Sequence, residues 1–182
     1  MQYRLIRSTR RTMAVEIRNG MLLVRAPYSA TRADVEQMLR DKRGWIEKHL
    51  RLSQERAFAA QSVSPLTSAE LKSLVQSAKI YIPQRVRYFA QLIGVQPGKI
   101  TIRSQRTRWG SCSAKGNLNF NCILMLTPQE VIDSVIVHEL CHLKEMNHSD
   151  RFYREVLRVF PDYRTWHGWL KDHQAELLAR LG

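Results

Sequence analysis

Residues 127–148 read TPQEVIDSVIVHELCHLKEMNH, and the way this run folds decides the rest of the molecule. Thr127, Pro128 and Glu130 combine an N-cap threonine, proline at the first helical position and glutamate at the third, three independent signals for a helix start. A helix is therefore expected to open at Pro128 and to continue through Val131, Ile132, Val135, Ile136 and Val137 into His138-Glu139-Leu140-Cys141-His142. Its apolar residues fall on more than one side, so the helix should be largely buried.

On such a helix His138 and His142 are about 40° apart in azimuth and about 6 Å apart along the axis, close enough for both imidazoles to reach one cation. Glu139, beside the first histidine, can take a proton from a water on that cation without occupying a coordination position. A catalytic zinc takes a third protein ligand and keeps one open position. His148 reaches the site only if the helix ends first, since six further helical residues would turn it about 240° away. Asn147 is a residue that tolerates the left-handed cap needed for such an end. Glu145, seven residues after His138, is the alternative ligand if the helix continues. Nitrogen chemistry and the turn residues Met146-Asn147-His148-Ser149 favour His148. Two histidines and a glutamate on a buried helix would be costly without a charge partner, which weighs for a metal over a plain packing helix.

The 182 residues suffice for one well-buried domain with a small accessory lobe. No apolar run is long enough for a membrane span. The N-terminal MQYRLIRSTRR lacks the continuous apolar core of a secretory signal, so a cytoplasmic protein is expected. Cys112, Cys122 and Cys141 form an odd set without CxxC spacing, consistent with free thiols. Cys112 has no base singled out by sequence, and a cysteine nucleophile is disfavoured. Lys and Arg number 29 against 16 Asp and Glu, a net charge of +13 that favours anionic partners, nucleic acid among them.

Further out, Asn19-Gly20 between two apolar runs predicts a β-hairpin. Thr31 to Asp34 resembles a helix start, with a helical stripe from Val35 through Trp45, Ile46 and His49 to Leu50. Residues 53–65 lose this periodicity and are read as a linker, which divides the chain into a hairpin/helix subdomain, 1–65, packed on a core of 66–182. Thr67 to Glu70 is a capping box. The helix it opens should be kinked or interrupted at Pro83 and ended by Gly94 and Pro97-Gly98. Residues 99–104 and 117–121 alternate as neighbouring strands, and two helices follow, one at residues 150–160 and one through Trp166, Trp169, Leu170, His173 and Leu177. His167 and His173 lie on apolar positions and are read as packing residues.

RWGSCSAKGNLNFN (108–121), the 127–152 run and FPDY (160–163) together resemble the YgjP-like metallopeptidase family, and more distantly the SprT-like and WLM zinc proteases. The resemblance implies an α+β fold with a zincin-like core, in which an active-site helix lies under a small mixed sheet. It further implies one Zn2+ (or another divalent metal) on His138, His142 and His148, with Glu139 as base. On this reading the chain is a metal-dependent hydrolase, foremost of peptides, with a sheet edge near Leu118 to Asn121 aligning the substrate. Arg108, Trp109, Lys115 and Tyr163 are candidate contacts to substrate or transition state. Some family members hydrolyse nucleoside triphosphates such as UTP, and the cationic run Arg103, Arg106, Arg108 and Lys115 keeps nucleotide pyrophosphohydrolysis as the alternative. A nucleic-acid-associated module with structural zinc is a third reading, disfavoured because structural sites are usually closed by four protein ligands.

Overall fold

The computed structural model describes residues 2–18 and 20–182. Its chain divides into two compact units, Met1–Ser62 and Val63–Gly182.

In the first unit, strands β1 (Arg4–Ser8), β2 (Ala14–Arg18) and β3 (Met21–Pro27) form a sheet in the order β1-β3-β2. β2 and β3 pair antiparallel, with Arg18 opposite Met21. This is the hairpin expected from Asn-Gly; Gly20 adopts the positive φ of 73° that glycine tolerates, while Asn19 lies outside the described residues. β1 adds in parallel on the far side of β3, a strand that its short alternation among arginines did not announce. Leu22, Val24 and Ala26 of β3 are buried and alternate with less buried neighbours, as one covered sheet face requires. Helix α1 (Arg32–Asp41) opens on a reciprocal Thr31–Asp34 capping box. Helix α2 (Arg43–Gln61) follows after a break at Lys42, where a single stripe had been expected. α2 also absorbs most of the expected linker, because Gln, Ala, Glu and Arg are good helix formers and lost periodicity there marks an exposed helix.

The second unit begins with α3 (Ser68–Ile93), 26 residues long, opened by the Thr67–Glu70 capping box and closed by Gly94 at φ 77°. Pro83 lies inside α3 without interrupting it. One missing backbone donor is outweighed where Ala78, Ile82, Val86, Phe89 and Ile93 all bury on one face.

Strands β4 (Ile100–Arg103), β5 (Gly110–Cys112) and β6 (Leu118–Asn121) then form a second mixed sheet, ordered β4-β6-β5. β4 runs parallel to β6 and β5 antiparallel to it. Residues 118–121 are thus the central strand and not the edge expected from sequence, since both of their hydrogen-bonding sides are taken. The edge beside the candidate site is β5, a strand the sequence periodicity did not announce.

The run 122–142 turns twice. A 3-10 turn (Cys122–Leu126) precedes α4 (Gln129–Cys141), and Pro128 takes the N-cap position. Thr127 does not cap α4; its hydroxyl donates instead to the Leu124 carbonyl at 2.7 Å, the same acceptor that takes the Thr127 amide at the end of the 3-10 turn. α4 is buried almost all round and packs on α3, on β5 and on two later helices, α5 (Asp150–Val159) and α6 (Tyr163–Ala179). The β-branched residues 131, 132, 135, 136 and 137 each cost about 0.5 kcal/mol in helix propensity. Burying each side chain returns about 1.5–3 kcal/mol, so packing and not propensity keeps this segment helical. The result is the α+β arrangement expected of a zincin-like core, a central helix under a small mixed sheet.

Asp133, 4% exposed, is a buried charged residue of α4 away from the histidines, and Arg85 of α3 grips it with two bonds of 2.8 and 2.7 Å. The guanidinium also lies over the Tyr88 and Phe89 rings. Replacing Arg85 with Ala strands a buried carboxylate and should cost about 3 kcal/mol in a urea titration, whereas Arg85→Met with Asp133→Leu should recover most of the loss.

Candidate metal centre

α4 ends at Cys141, and His142 occupies its C-cap. The helix therefore stops well before Asn147. The amides of Leu143, Lys144 and Glu145 fold back onto the carbonyls of Leu140 and Cys141, tightening the last turn. Lys144 reaches Glu155 of α5 at 2.6 Å, and Arg158 holds the same carboxylate at 2.8 Å, together pulling the Glu155 carboxyl down to a pKa of about 2. The chain then turns back so that His148 arrives just before Ser149, whose hydroxyl accepts the Phe152 amide and caps α5.

This turn brings three imidazoles together. The Nε2 atom of His138 lies 3.2 Å from that of His142 and 3.0 Å from that of His148. One ligand atom from each residue lies within 4.8 Å of the others. Their rings surround the fully buried Phe152, with centroids 4.9, 4.6 and 4.9 Å from its ring. A tetrahedral zinc with Zn–N near 2.05 Å sets its ligand nitrogens about 3.3 Å apart, so the two spacings from His138 suit such an ion. The hydrogen bonding suits it too. His142 Nδ1 faces the Glu145 carbonyl at 3.1 Å and must carry hydrogen, which leaves its Nε2 a bare lone pair aimed at the cluster. His138 Nδ1 faces the Tyr163 hydroxyl at 2.8 Å. Glu145 takes part through its backbone, and its carboxylate is not in the cluster.

Burial, reinforced by His142, His148 and His167, lowers the His138 pKa to about 3; burial lowers that of His142 as well. Both rings are neutral near pH 7, the form that coordinates a metal. Glu139 is 6% exposed, and its burial pushes the carboxyl up to about 7 against the opposing pull of Arg108 and the Cys112 backbone N–H. The backbone of β5 passes so close that a Cβ on Gly110 would stand 2.6 Å from Glu139 Oε1. Only glycine fits there.

A cavity of about 220 Å³ opens beside Glu139. Val135, Glu139 and Leu170 form its buried side, Trp109 is half-buried, and the exposed Arg108 and His167 stand at its rim. Of the contacts expected from sequence, Arg108 and Trp109 line this cavity. Lys115 sits exposed on the β5–β6 turn, outside the lining, and Tyr163 is buried behind His138. The loop carrying Arg108 is pinned by the fully buried Asn121, whose Nδ2 donates to the carbonyls of Gln105 and Arg108. Arg106 turns toward the Leu181 carbonyl instead. The Cys112 thiol is raised by its burial and then by Glu139, the opposite of nucleophile activation. Sequence reading missed Gly110, Phe152 and His167. Only His167 carried a local signal, its i, i+4 spacing from Tyr163.

Residues 68–173 match the model of a family described as YgjP-like, metallopeptidase domain. Over 76 residues the chain is 30% identical to the UTP pyrophosphatase of Escherichia coli (strain K12), a stretch covering 42% of this chain and 40% of that one, so it spans about two fifths of that relative. Among solved structures, the metallopeptidase zymogen of Pyrococcus abyssi abylysin aligns with a TM-score of 0.46 and 25% identity, over 49% of this chain and 90% of that one. The Methanocaldococcus jannaschii jannalysin zymogen aligns at 0.43 and 24%, over 50% and 91%.

A carboxyl whose folded pKa lies above its unfolded value holds its proton better when folded, so its contribution is complete below the unfolded pKa and is lost as pH rises toward 7. For the chelated protein, Glu139→Gln should match wild type in denaturant titrations at pH 4 and exceed it at pH 8 by about 3 kcal/mol.

Proposed function

Because the chain belongs to the YgjP-like metallopeptidase family, we propose that it is a zinc-dependent peptidase whose ion is held by His138, His142 and His148, with Glu139 as the general base. The observation that carries this reading is the convergence of the three Nε2 atoms beside a buried carboxyl. Bound there, the ion supplies Lewis acidity and makes water more acidic.

The rest of the chemistry falls to the chain. Three histidine ligands leave a coordination position open, as a hydrolytic site requires. Glu139 does not ligate; its carboxylate takes the proton of the attacking water and passes it to the leaving amide nitrogen, a transfer suited to a group titrating near neutrality. β5 is paired on one side to β6 and, among the described residues, to no strand on the other; its Cys112 N–H is taken by Glu139, and the rest of Gly110–Cys112 offers an extended peptide main-chain partners beside Glu139. Arg108, at the rim of the cavity, faces the oxygen that gains charge.

A second reading, phosphoanhydride hydrolysis of a nucleoside triphosphate, is favoured by the relative named UTP pyrophosphatase and by the same Arg108. Against it, Arg103 bonds the Asn119 side chain, Arg106 turns to the Leu181 carbonyl and Lys115 lies outside the lining, leaving Arg108 as the cation of that run at the cavity.

Metal analysis followed by parallel screens of a peptide library and of UTP separates the two. Wild type should cleave peptides. Glu139→Gln should keep its metal and lose about a hundredfold or more in kcat, and His138→Ala should lose the metal. Pyrophosphate release from UTP without peptide cleavage would move the assignment to the second reading.

A further inference from the structure

His167 has no part in holding the ion, yet it is tied to the site by a continuous hydrogen-bonded path. His138 Nδ1 lies 2.8 Å from the Tyr163 hydroxyl, which lies 3.3 Å from His167 Nδ1. Tyr163 and His167 are one turn apart on α6, so the helix sets their spacing. The His167 ring is nearly parallel to that of His138, at 5° and 6.3 Å, and lines the cavity that Glu139 and Arg108 share.

Proton inventory gives this path a direction. A histidine that presents Nε2 to a cation carries its hydrogen on Nδ1, so His138 donates to Tyr163. The hydroxyl, having accepted there, turns its own hydrogen to His167 Nδ1. His167 is thereby left with its hydrogen on Nε2, the ring nitrogen not engaged by Tyr163, as a donor to a ligand in the cavity. We propose that Tyr163 couples metal ligation at His138 to the tautomer of His167, and that His167 Nε2–H, with Arg108 at the same rim, hydrogen-bonds the anionic oxygen of the reacting group. The oxygen-binding part rests on the hydrolase reading above; the tautomer coupling rests only on the hydrogen-bond path and a metal at His138. Tyr163 is then a positioning residue and His167 a catalytic one.

The test uses the full chain labelled with 15N-histidine and loaded with zinc. Two-bond 1H–15N spectra should report His167 as the Nε2–H tautomer, and Tyr163→Phe should release it to a mixture while the zinc content holds. A phosphoramidate dipeptide serves as the oxyanion probe, with inorganic phosphate as a second. His167→Ala should weaken binding of the probe about tenfold or more, as expected for a hydrogen bond to a charged group, with zinc stoichiometry unchanged. His167→Gln, whose amide can still donate, should recover most of the affinity. An Nδ1–H tautomer for His167 in the zinc protein, or one indifferent to Tyr163→Phe, would overturn the coupling. Equal affinity of wild type and His167→Ala for both probes would overturn the contact. Wild type that binds phosphate but not the phosphoramidate counts against the peptidase reading, while a tenfold loss of phosphate binding in His167→Ala still supports the role of His167.

Discussion

Three imidazole nitrogens drawn together, those of His142 and His148 lying 3.2 and 3.0 Å from that of His138, are the constraint on which this structure turns. Little else favours that convergence, because lone pairs facing each other repel, and around the buried His142 and half-buried His138 there is little water to separate them. The chain nonetheless enforces it by several independent means. α4 stops at Cys141, the Lys144–Glu155–Arg158 cluster holds the turn to α5, and the capped start of α5 places Phe152 among the three rings. A cation at the focus turns this cost into the reason for the geometry.

The same burial governs Glu139. A carboxyl on a surface helix would be ionised and weakly basic; here the overlying β5 strand and the packed faces of α4 raise its pKa into the range of a working acid and base. The close approach that does this is made by Gly110, so the absence of one side chain in the sheet sets the basicity of another on the helix. Arg108 tempers the shift and is itself held by the buried Asn121. Sheet, loop and helix act on one carboxyl, each through a contact of different kind.

Much of this was legible in the chain. The helix of residues 129–141 with His138, Glu139 and His142, the capping box at Thr67, the Asn-Gly hairpin and the pairing of the strands at 100–103 and 118–121 all follow from periods and turn residues that act within a few positions. Preferring His148 over Glu145 needed only that the helix end in time. Errors came where a local signal met a stronger tertiary one. Thr127 looked like an N-cap, but its amide and hydroxyl both turn back to the Leu124 carbonyl that ends the 3-10 turn. Of the kink or interruption expected at Pro83, the interruption does not occur, because a long apolar face outweighs one lost hydrogen bond. Residues 53–61 looked like a linker because an exposed helix has little periodicity to display.

The sequence by itself determined the chemistry on offer, two histidines and a glutamate on one buried helix with a third histidine just beyond it, because helical geometry converts spacing directly into direction. Tertiary structure alone decided which strand edge stands over the site, which cation reaches it and which other histidine joins it. Strand order depends on pairings between distant segments, so residues 118–121 became central and Gly110–Cys112 the edge. The directions of Arg106, Arg108 and Lys115 depend on loops whose backbone no period describes, and His167 acquires meaning only when α6 is laid against α4.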